Sequence, residues 1–237
     1  MEGHKPSGAR VLVLRHRPTA HAGMVAKALE NRGHCVDTAT LDERSPTPSI
    51  IGYDMIISLG SQHSVYDENI QKQWLNRELT LMEEASREGL AILGLCFGAQ
   101  ALCYCFGGDV VPSSFPEVGW HEITERNGSG ISPGPWFEFH VDRCVLPDRS
   151  IVWADNEAGV QAFAIERHVG VQFHPEVDAA QLAEWLASGS RAGASALDFD
   201  RAALLRDTAL HAKSAQERTN DLMDLVMAHN GLASHPG

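Results

Sequence analysis

The sequence contains no long apolar run. No stretch of its 237 residues approaches the roughly 20 consecutive apolar residues that a membrane-spanning helix needs. The amino-terminal sequence MEGHKPSGAR also lacks the apolar segment of a signal peptide or an anchor. We therefore expect a cytoplasmic protein that has no membrane partner.

Positive charge and cofactor-binding motifs are also scarce. The chain has 19 Lys and Arg against 31 Asp and Glu, a net charge of −12, and such a field repels polyanions, so no nucleic-acid partner is expected. The five cysteines show no zinc or redox spacing, which favours reduced thiols and no metal site. No glycine-rich phosphate or dinucleotide loop is present. We expect no cofactor.

The first half of the chain alternates short apolar runs with amphipathic segments. The apolar runs predict strands over 11–15, 35–38, 53–59 and 90–95, and the segments between and after them predict helices over 20–32, 69–87 and 98–106. Strands and helices that alternate at this spacing indicate right-handed βαβ units. We therefore predict an α/β fold with a largely parallel central sheet and helices on both faces.

The pattern changes after Gly107. Turn clusters divide residues 109–173 into short strands, which predicts a smaller antiparallel region that packs beside the sheet or continues it. After a short helix over 181–187, the small residues of 189–196 indicate a linker. The residues 198–229 then predict one long helix or two.

The strongest local motif is the G-x-C-x-G sequence centred on Cys96, between a predicted strand and a predicted helix. It has the form of a nucleophile elbow, in which the residues two before and two after must be small because the turn is tight. The helix that follows would aim its amino-terminal amides at the sulfur, with the N–H of Phe97 as an oxyanion donor. The alternative is a buried cysteine in a glycine-rich turn.

A second motif, GVQFHPEV, places His174 at the end of a predicted strand and Glu176 two residues later. Residues i and i+2 of an extended chain point the same way, so Glu176 can accept a hydrogen bond from one nitrogen of His174. The other nitrogen is then free to face a thiol, as in a catalytic triad. The alternative is a loop histidine beside a surface glutamate, but the two motifs together favour a triad.

GLCFGAQ together with GVQFHPEV resembles the class I (triad-type) glutamine amidotransferases, in particular their stand-alone, GMP synthase-like members. The resemblance runs from about residue 11 to 177 and includes LGSQHSVYDE, PEVGWHEI, FHVDRCVLPD and NEAGVQAF. It implies a flavodoxin-like, class I glutaminase fold. The catalytic residues would be Cys96 as nucleophile, His174 as general base and acid, and Glu176 as the residue that orients the histidine.

The sequence pattern also predicts the domain organisation. Residues 1–9 would be a disordered tail, and residues 10–188 would be the glutamine amidotransferase domain. Residues 189–237 would be a linker and a carboxyl-terminal helical extension that packs on that domain.

Oxyanion and substrate-binding residues follow from the same resemblance. Gly60 and Phe97 would form the oxyanion hole, whereas Gln100, His140 and Asp142 would line the glutamine pocket.

Three residues depart from the family pattern. Ser61 and Gln62 replace a glycine and a proline beside Gly60, and Val141 replaces a glycine. These changes affect the shape of the pocket but remove no catalytic side chain. His63 and His121 are predicted to be surface residues.

The resemblance implies hydrolysis of the glutamine side-chain amide through a Cys96 γ-glutamyl thioester, which yields glutamate and ammonia. The ammonia would pass to an acceptor or to a partner synthetase, because nothing in the chain looks able to activate an acceptor with ATP. Two alternatives remain open, a γ-glutamyl peptidase with the same triad and a non-catalytic regulatory subunit.

Overall fold

The computed structural model describes residues 8–188 and 199–232. Its strands are β1 (Arg10–Arg15), β2 (Cys35–Thr40), β3 (Met55–Ser58), β4 (Ala91–Leu95), β5 (Asp109–His121), β6 (Thr124–Glu125), β7 (Trp136–Val145), β8 (Ile151–Asn156), β9 (Gly159–Ile165) and β10 (His168–Val171). Its helices are α1 (Gly23–Glu30), α2 (Glu68–Ile70), α3 (Asn76–Arg87), α4 (Phe97–Cys105), α5 (Ala179–Ala187) and α6 (Arg201–His229), and a π-helical segment, Gln71–Leu75, joins α2 to α3.

An eight-stranded sheet in the order β2-β1-β3-β4-β10-β9-β8-β6 forms the centre of the molecule. The strands from β2 to β10 in this order are parallel, and β9, β8 and β6 continue the sheet as antiparallel strands. Strands β5 and β7 pair with each other in a separate antiparallel sheet. The predicted fold class is confirmed, and the antiparallel region both continues the sheet and packs beside it.

Apolar layers cover the two faces of the central sheet. On β1, Val11 and Val13 point into one layer with α1 and α6, whereas Leu12 and Leu14 point into the other with α3 and α4. Successive side chains of a strand point to opposite faces, so this division requires helices on both sides. The inner strands β3 and β4 are buried along their whole length, as expected for a doubly covered parallel sheet.

The carboxyl-terminal segment is one continuous helix over its described length, α6. Asp200 caps it by accepting hydrogen bonds from the N–H groups of Ala202 and Ala203, which satisfies two donors of the first turn. Further along, buried residues such as Met223 and Val226 join the core layer that contains α1.

Parts of the predicted organisation lie outside the described residues. These parts are residues 1–7 of the predicted tail and the predicted linker over 189–196. Of the helices in the described ranges, none is both long enough and apolar enough to cross a membrane.

Candidate active site

Cys96 lies in the turn between β4 and α4 with φ 52° and ψ −107°, a conformation that is strained for any residue except glycine. Backbone hydrogen bonds hold it there. The N–H of Cys96 donates to the carbonyl of Val171 at 2.8 Å, and the carbonyl of Cys96 accepts from the N–H of Gln100 at 3.0 Å. The turn places the sulfur at the carboxyl-terminal edge of the parallel strands, where binding sites of α/β proteins occur.

Two glycines make this turn possible. A methyl group on Gly94 would overlap the backbone of Gly98, and one on Gly98 would overlap the carbonyl of Ser58. The structure therefore explains why the motif has glycine two residues before and two residues after the cysteine.

Gly98→Ala is expected to lower the free energy of unfolding by about 3 kcal/mol or more, because the methyl group meets backbone atoms that cannot turn away. Gly33→Ala is the matched control. Gly33 has φ +83° but nothing within 4 Å of an added methyl group, so only about 1–2 kcal/mol of backbone strain is expected. Urea unfolding of the two variants measures both losses, and equal losses would contradict the steric explanation.

His174 and Glu176 meet Cys96 at this edge. His174 Nδ1 lies 2.8 Å from Glu176 Oε1, and the imidazole is close enough to Cys96 for the two side chains to interact electrostatically. All three residues are buried. Burial alone would lower the pKa of His174, but the charges of Cys96 and Glu176 outweigh it and hold this pKa well above its ordinary value. The structure thus brings the three predicted residues together, with His174 hydrogen-bonded to Glu176 and adjacent to Cys96.

Two helices hold the segment that carries His174 and Glu176. The N–H of Met24, in α1, donates to the carbonyl of Glu176 at 3.0 Å. The hydroxyl of Thr219, in α6, donates to the carbonyl of Pro175 at 2.8 Å. The segment is thereby fixed although it has no regular secondary structure of its own.

A pocket opens beside Cys96 and encloses about 630 Å³ of empty space, including its mouth. Seven of the eight predicted site residues line it: Gly60, Cys96, Phe97, Gln100, His140, Asp142 and His174. The eighth, Glu176, forms the hydrogen bond to His174 described above. The three residues that depart from the family pattern, Ser61, Gln62 and Val141, also line the pocket.

Gly60 and Phe97, the predicted oxyanion donors, both lie beside Cys96. A methyl group on Gly60 would lie 2.9 Å from His174 Cε1 and 3.7 Å from Cys96 Cβ, so the backbone of Gly60 runs directly beside the nucleophile. Phe97 begins α4, and the N–H groups of a first turn have no acceptor within the helix. His16 Nδ1 lies 3.4 Å from the carbonyl of Gly60, and this contact helps to fix the peptide.

Gln100 and His140 hold the backbone of Asp142. Gln100 Nε2 donates to the carbonyl of Asp142 at 3.3 Å, and His140 Nδ1 lies 2.9 Å from the same oxygen. The carboxylate of Asp142 accepts hydrogen bonds from Ser64 Oγ at 2.5 Å and from the Tyr66 hydroxyl at 2.8 Å. Asp142 therefore contributes a fixed negative charge to the pocket wall.

The ring of His140 is also held at its other nitrogen. Nε2 lies 3.1 Å from Glu117 Oε2 and 3.3 Å from Glu138 Oε2. His140, Glu117 and Glu138 are all buried, and each has one nitrogen or oxygen atom within 4.8 Å of those of the other two. This spacing is close enough for the three atoms to bind a cation. Burial would lower the pKa of His140, but the two carboxylates raise it to about 10. The imidazolium thus supplies the positive charge between them.

The free energy of unfolding is expected to fall as the pH rises from about 6.5 to about 10. The pKa of His140 is about 10 in the folded protein against an ordinary 6.5, so its stabilising contribution is complete below about 6.5 and is lost as the pH rises through the folded value. The contribution is on the order of a few kcal/mol.

Urea unfolding across this pH range measures the effect. His140→Gln is expected to reduce the slope of stability against pH, whereas His21→Gln, in an exposed pair with Glu184, is expected to leave it unchanged. Identical slopes for wild type and His140→Gln would contradict the assignment.

The pocket also contains residues that the sequence did not indicate. His63, predicted to be a surface residue, keeps 35% of its side-chain area exposed and also lines the pocket. Burial lowers the pKa of His63. Arg17 and Trp185 line the pocket as well. Arg17 comes shortly after β1, as Gly60 comes after β3 and Cys96 after β4. Because sites form where parallel strands end, this position in the sequence could have indicated Arg17 as a site residue.

A family comparison agrees with this geometry. The model of the family described as glutamine amidotransferase class-I matches residues 21–188. This chain belongs to the class I glutamine amidotransferase family. It is therefore an enzyme of a glutamine-hydrolysing class.

Curated relatives carry the name GMP synthase. The chain is 32% identical over 133 residues to the glutamine-hydrolyzing GMP synthase of Clostridium kluyveri, an alignment that covers 52% of this chain and 24% of that protein. It is 30% identical over 164 residues to a Sulfurisphaera tokodaii protein named as one subunit of a glutamine-hydrolyzing GMP synthase, covering 65% of this chain and 82% of that protein. The chain thus spans about a quarter of the first relative and most of the second.

Solved structures show the same fold. A glutamine amidotransferase from Thermotoga maritima superposes with a TM-score of 0.80 at 23% identity, covering 94% of this chain and 98% of that one. One from Methylobacillus flagellatus gives 0.81 at 18% identity, with 98% of both chains covered. At these identities the likeness establishes the fold alone.

Proposed function

We propose that this chain is the glutaminase component of an amidating system and releases ammonia from glutamine through a Cys96 γ-glutamyl thioester. The observation that carries the proposal is the buried group of Cys96, His174 and Glu176 at an open pocket, in which His174 is hydrogen-bonded to Glu176 and interacts with Cys96. A thiol, a base and a residue that orients the base are the parts that acyl transfer needs.

Glutamine would bind with its side-chain amide over Cys96. The thiolate attacks the amide carbon, and the N–H groups of Gly60 and Phe97 donate to the oxyanion. His174 gives its proton to the departing ammonia and then takes a proton from the water that hydrolyses the thioester. Glu176 keeps one nitrogen of His174 protonated and the ring in place throughout.

Asp142, in the pocket lining, would bind the amino-acid end of the substrate. Asp142 is the fixed negative charge there, and a carboxylate suits the α-ammonium group of glutamine. Gln100 and His140 would act by holding the carbonyl of Asp142. Because both ring nitrogens of His140 already have partners, its part is to position the wall.

The ammonia would pass to a separate synthetase. Similarity to a protein that is named as one subunit of a GMP synthase supports a two-component arrangement of this kind.

The test is to incubate the purified chain with L-glutamine and to measure glutamate and ammonia, then to repeat the assay with γ-glutamyl dipeptides. Faster turnover of glutamine supports the proposal, and faster turnover of the dipeptides favours the peptidase. Exposure to a glutamine-analogue electrophile identifies the third possibility. If nothing is hydrolysed and Cys96 is not labelled, the chain has a non-catalytic, regulatory role and the proposal is wrong.

A further inference from the structure

Arg17 brings a positive charge to the wall of the pocket next to His174. Its guanidinium carbon lies over the ring of Trp185, 5.1 Å from the ring centre. Trp185 in turn meets the His174 ring edge to face, with ring centres 5.1 Å apart. The indole N–H of Trp185 donates to the carbonyl of Thr19 at 3.1 Å. This bond ties the loop that carries Arg17 to α5, so the guanidinium is held on a rigid support.

The guanidinium has unused hydrogen-bond donors. Nε and Nη1 of Arg17 are shielded from solvent, and within residues 8–188 and 199–232 neither has an acceptor. Burial lowers the pKa of Arg17, whereas the charges of Cys96 and Glu176 raise it. An arginine remains protonated under such conditions, and a buried charged donor without an acceptor is unfavourable. Because Arg17 also lines the pocket, it places a cationic group with unfilled hydrogen-bonding capacity at a wall that a ligand can approach.

The other cationic groups of the pocket are already engaged. His140 lies between Glu117 and Glu138, and His174 is bound to Glu176. The pKa of His63 is lowered by burial, which favours its neutral form. Among the described residues that line the pocket, Arg17 is thus the cation with donors available to a substrate.

We propose that Arg17 binds a carboxylate of the substrate that reacts with Cys96. A guanidinium pairs favourably with a carboxylate, and stacking on Trp185 keeps the plane of this one fixed. The inference rests on the proposed function and adds a substrate requirement to it. The carboxylate has two possible sources, the α-carboxylate of the glutamyl unit or the carboxylate of an amino-acid leaving group.

Matched pairs of substrates test the proposal. L-Glutamine is compared with its α-carboxamide, and γ-glutamylglycine with γ-glutamylglycinamide, for the wild type, Arg17→Gln and Arg17→Lys. In Arg17→Gln, kcat/KM is expected to fall about 10- to 100-fold for the substrate with the recognised carboxylate and less than about twofold for its carboxamide. Arg17→Lys is expected to recover part of the loss, because it keeps the charge without the paired donors.

Arg218→Gln is the matched control. Arg218 also lies over a tryptophan, Trp136, at 5.7 Å, and within the described ranges its Nε and Nη2 have no acceptor. It does not line the pocket. The control is expected to lower kcat/KM equally for each acid and its amide, if it changes the values at all.

The substrate pairs separate the two sources. A loss confined to substrates with a free α-carboxylate identifies that group, and a loss confined to γ-glutamylglycine identifies the leaving group. Equal losses for acid and amide in both substrate pairs of Arg17→Gln, or no loss in either pair, would overturn the proposal and leave Arg17 a structural residue.

A binding measurement separates this inference from the proposed function. The Cys96→Ala protein and the double variant Cys96→Ala, Arg17→Gln are each titrated calorimetrically with L-glutamate and with γ-glutamylglycine. This measurement needs no turnover. Weaker binding of either ligand when Arg17 is replaced supports carboxylate recognition even if no substrate is hydrolysed. Unchanged or undetectable binding of both would overturn it, even if the wild type hydrolyses glutamine.

Discussion

Replacing Cys96 with alanine is expected to abolish glutamine hydrolysis, with a loss of at least about 10⁴-fold in kcat. Without the sulfur, no thioester can form, and His174 has no nucleophile to deprotonate. The fold is expected to survive, because the hydrogen bonds to Val171 and from Gln100 involve only the backbone of residue 96. Ammonia release measures activity, and thermal unfolding verifies the fold.

Cys105→Ala is the control for this experiment. Cys105 ends α4, the helix that begins directly after Cys96, and burial raises its thiol pKa to about 12. Its thiol is therefore protonated at neutral pH, and Cys105 does not line the pocket. The variant is expected to hydrolyse glutamine at the wild-type rate. A Cys96→Ala protein with wild-type turnover would show that another group is the nucleophile.

Glu176→Gln is expected to lower kcat by about 10²- to 10⁴-fold, the range set by comparable changes in other triads. The carboxylate of Glu176 helps to raise the pKa of His174 and determines which ring nitrogen carries the proton. A neutral amide has no charge to raise the pKa and holds the protonated nitrogen less firmly. KM is expected to change little, because Glu176 lies outside the pocket lining. Steady-state kinetics over a range of pH measures kcat, KM and the pKa of the histidine, which is expected to fall.

The matched control is Glu184→Gln. Glu184 forms another histidine–carboxylate pair, with His21 at 3.6 Å, but both side chains are about half exposed. Removing a charge at this surface is expected to leave kcat within about twofold of the wild type. If Glu176→Gln behaved like this control, Glu176 would have no part in orienting His174.

The sequence predicted the features that depend on local geometry. Gly94 and Gly98 flank Cys96 because the backbone has no room for a methyl group at either position. This steric requirement can be recognised from the five-residue motif alone. His174 and Glu176 are two residues apart, so the geometry of extended chain was enough to pair them. The alternation of strands and helices predicted the parallel sheet in the same way.

The features that the sequence did not predict depend on residues distant along the chain. Glu117 and His140 face each other because β5 and β7 pair in an antiparallel register that contains a bulge, and no local pattern specifies that register. Arg17 and Trp185 meet because α5 packs on the loop after β1. His63 was assigned to the surface from residue type alone, which carries no information about a pocket formed by the ends of several strands.

The hydrogen bond from Thr219 to the carbonyl of Pro175 also sets an order of assembly during synthesis. Cys96, His174 and Glu176 all leave the ribosome before Thr219. The carbonyl of Pro175 can accept the hydrogen bond from Thr219 only after α6 has emerged and docked. A nascent chain that ends before this point has the complete set of reactive groups on an unfinished support. The support of the segment from His174 to Glu176 is therefore complete only late in translation, after all three residues have been added.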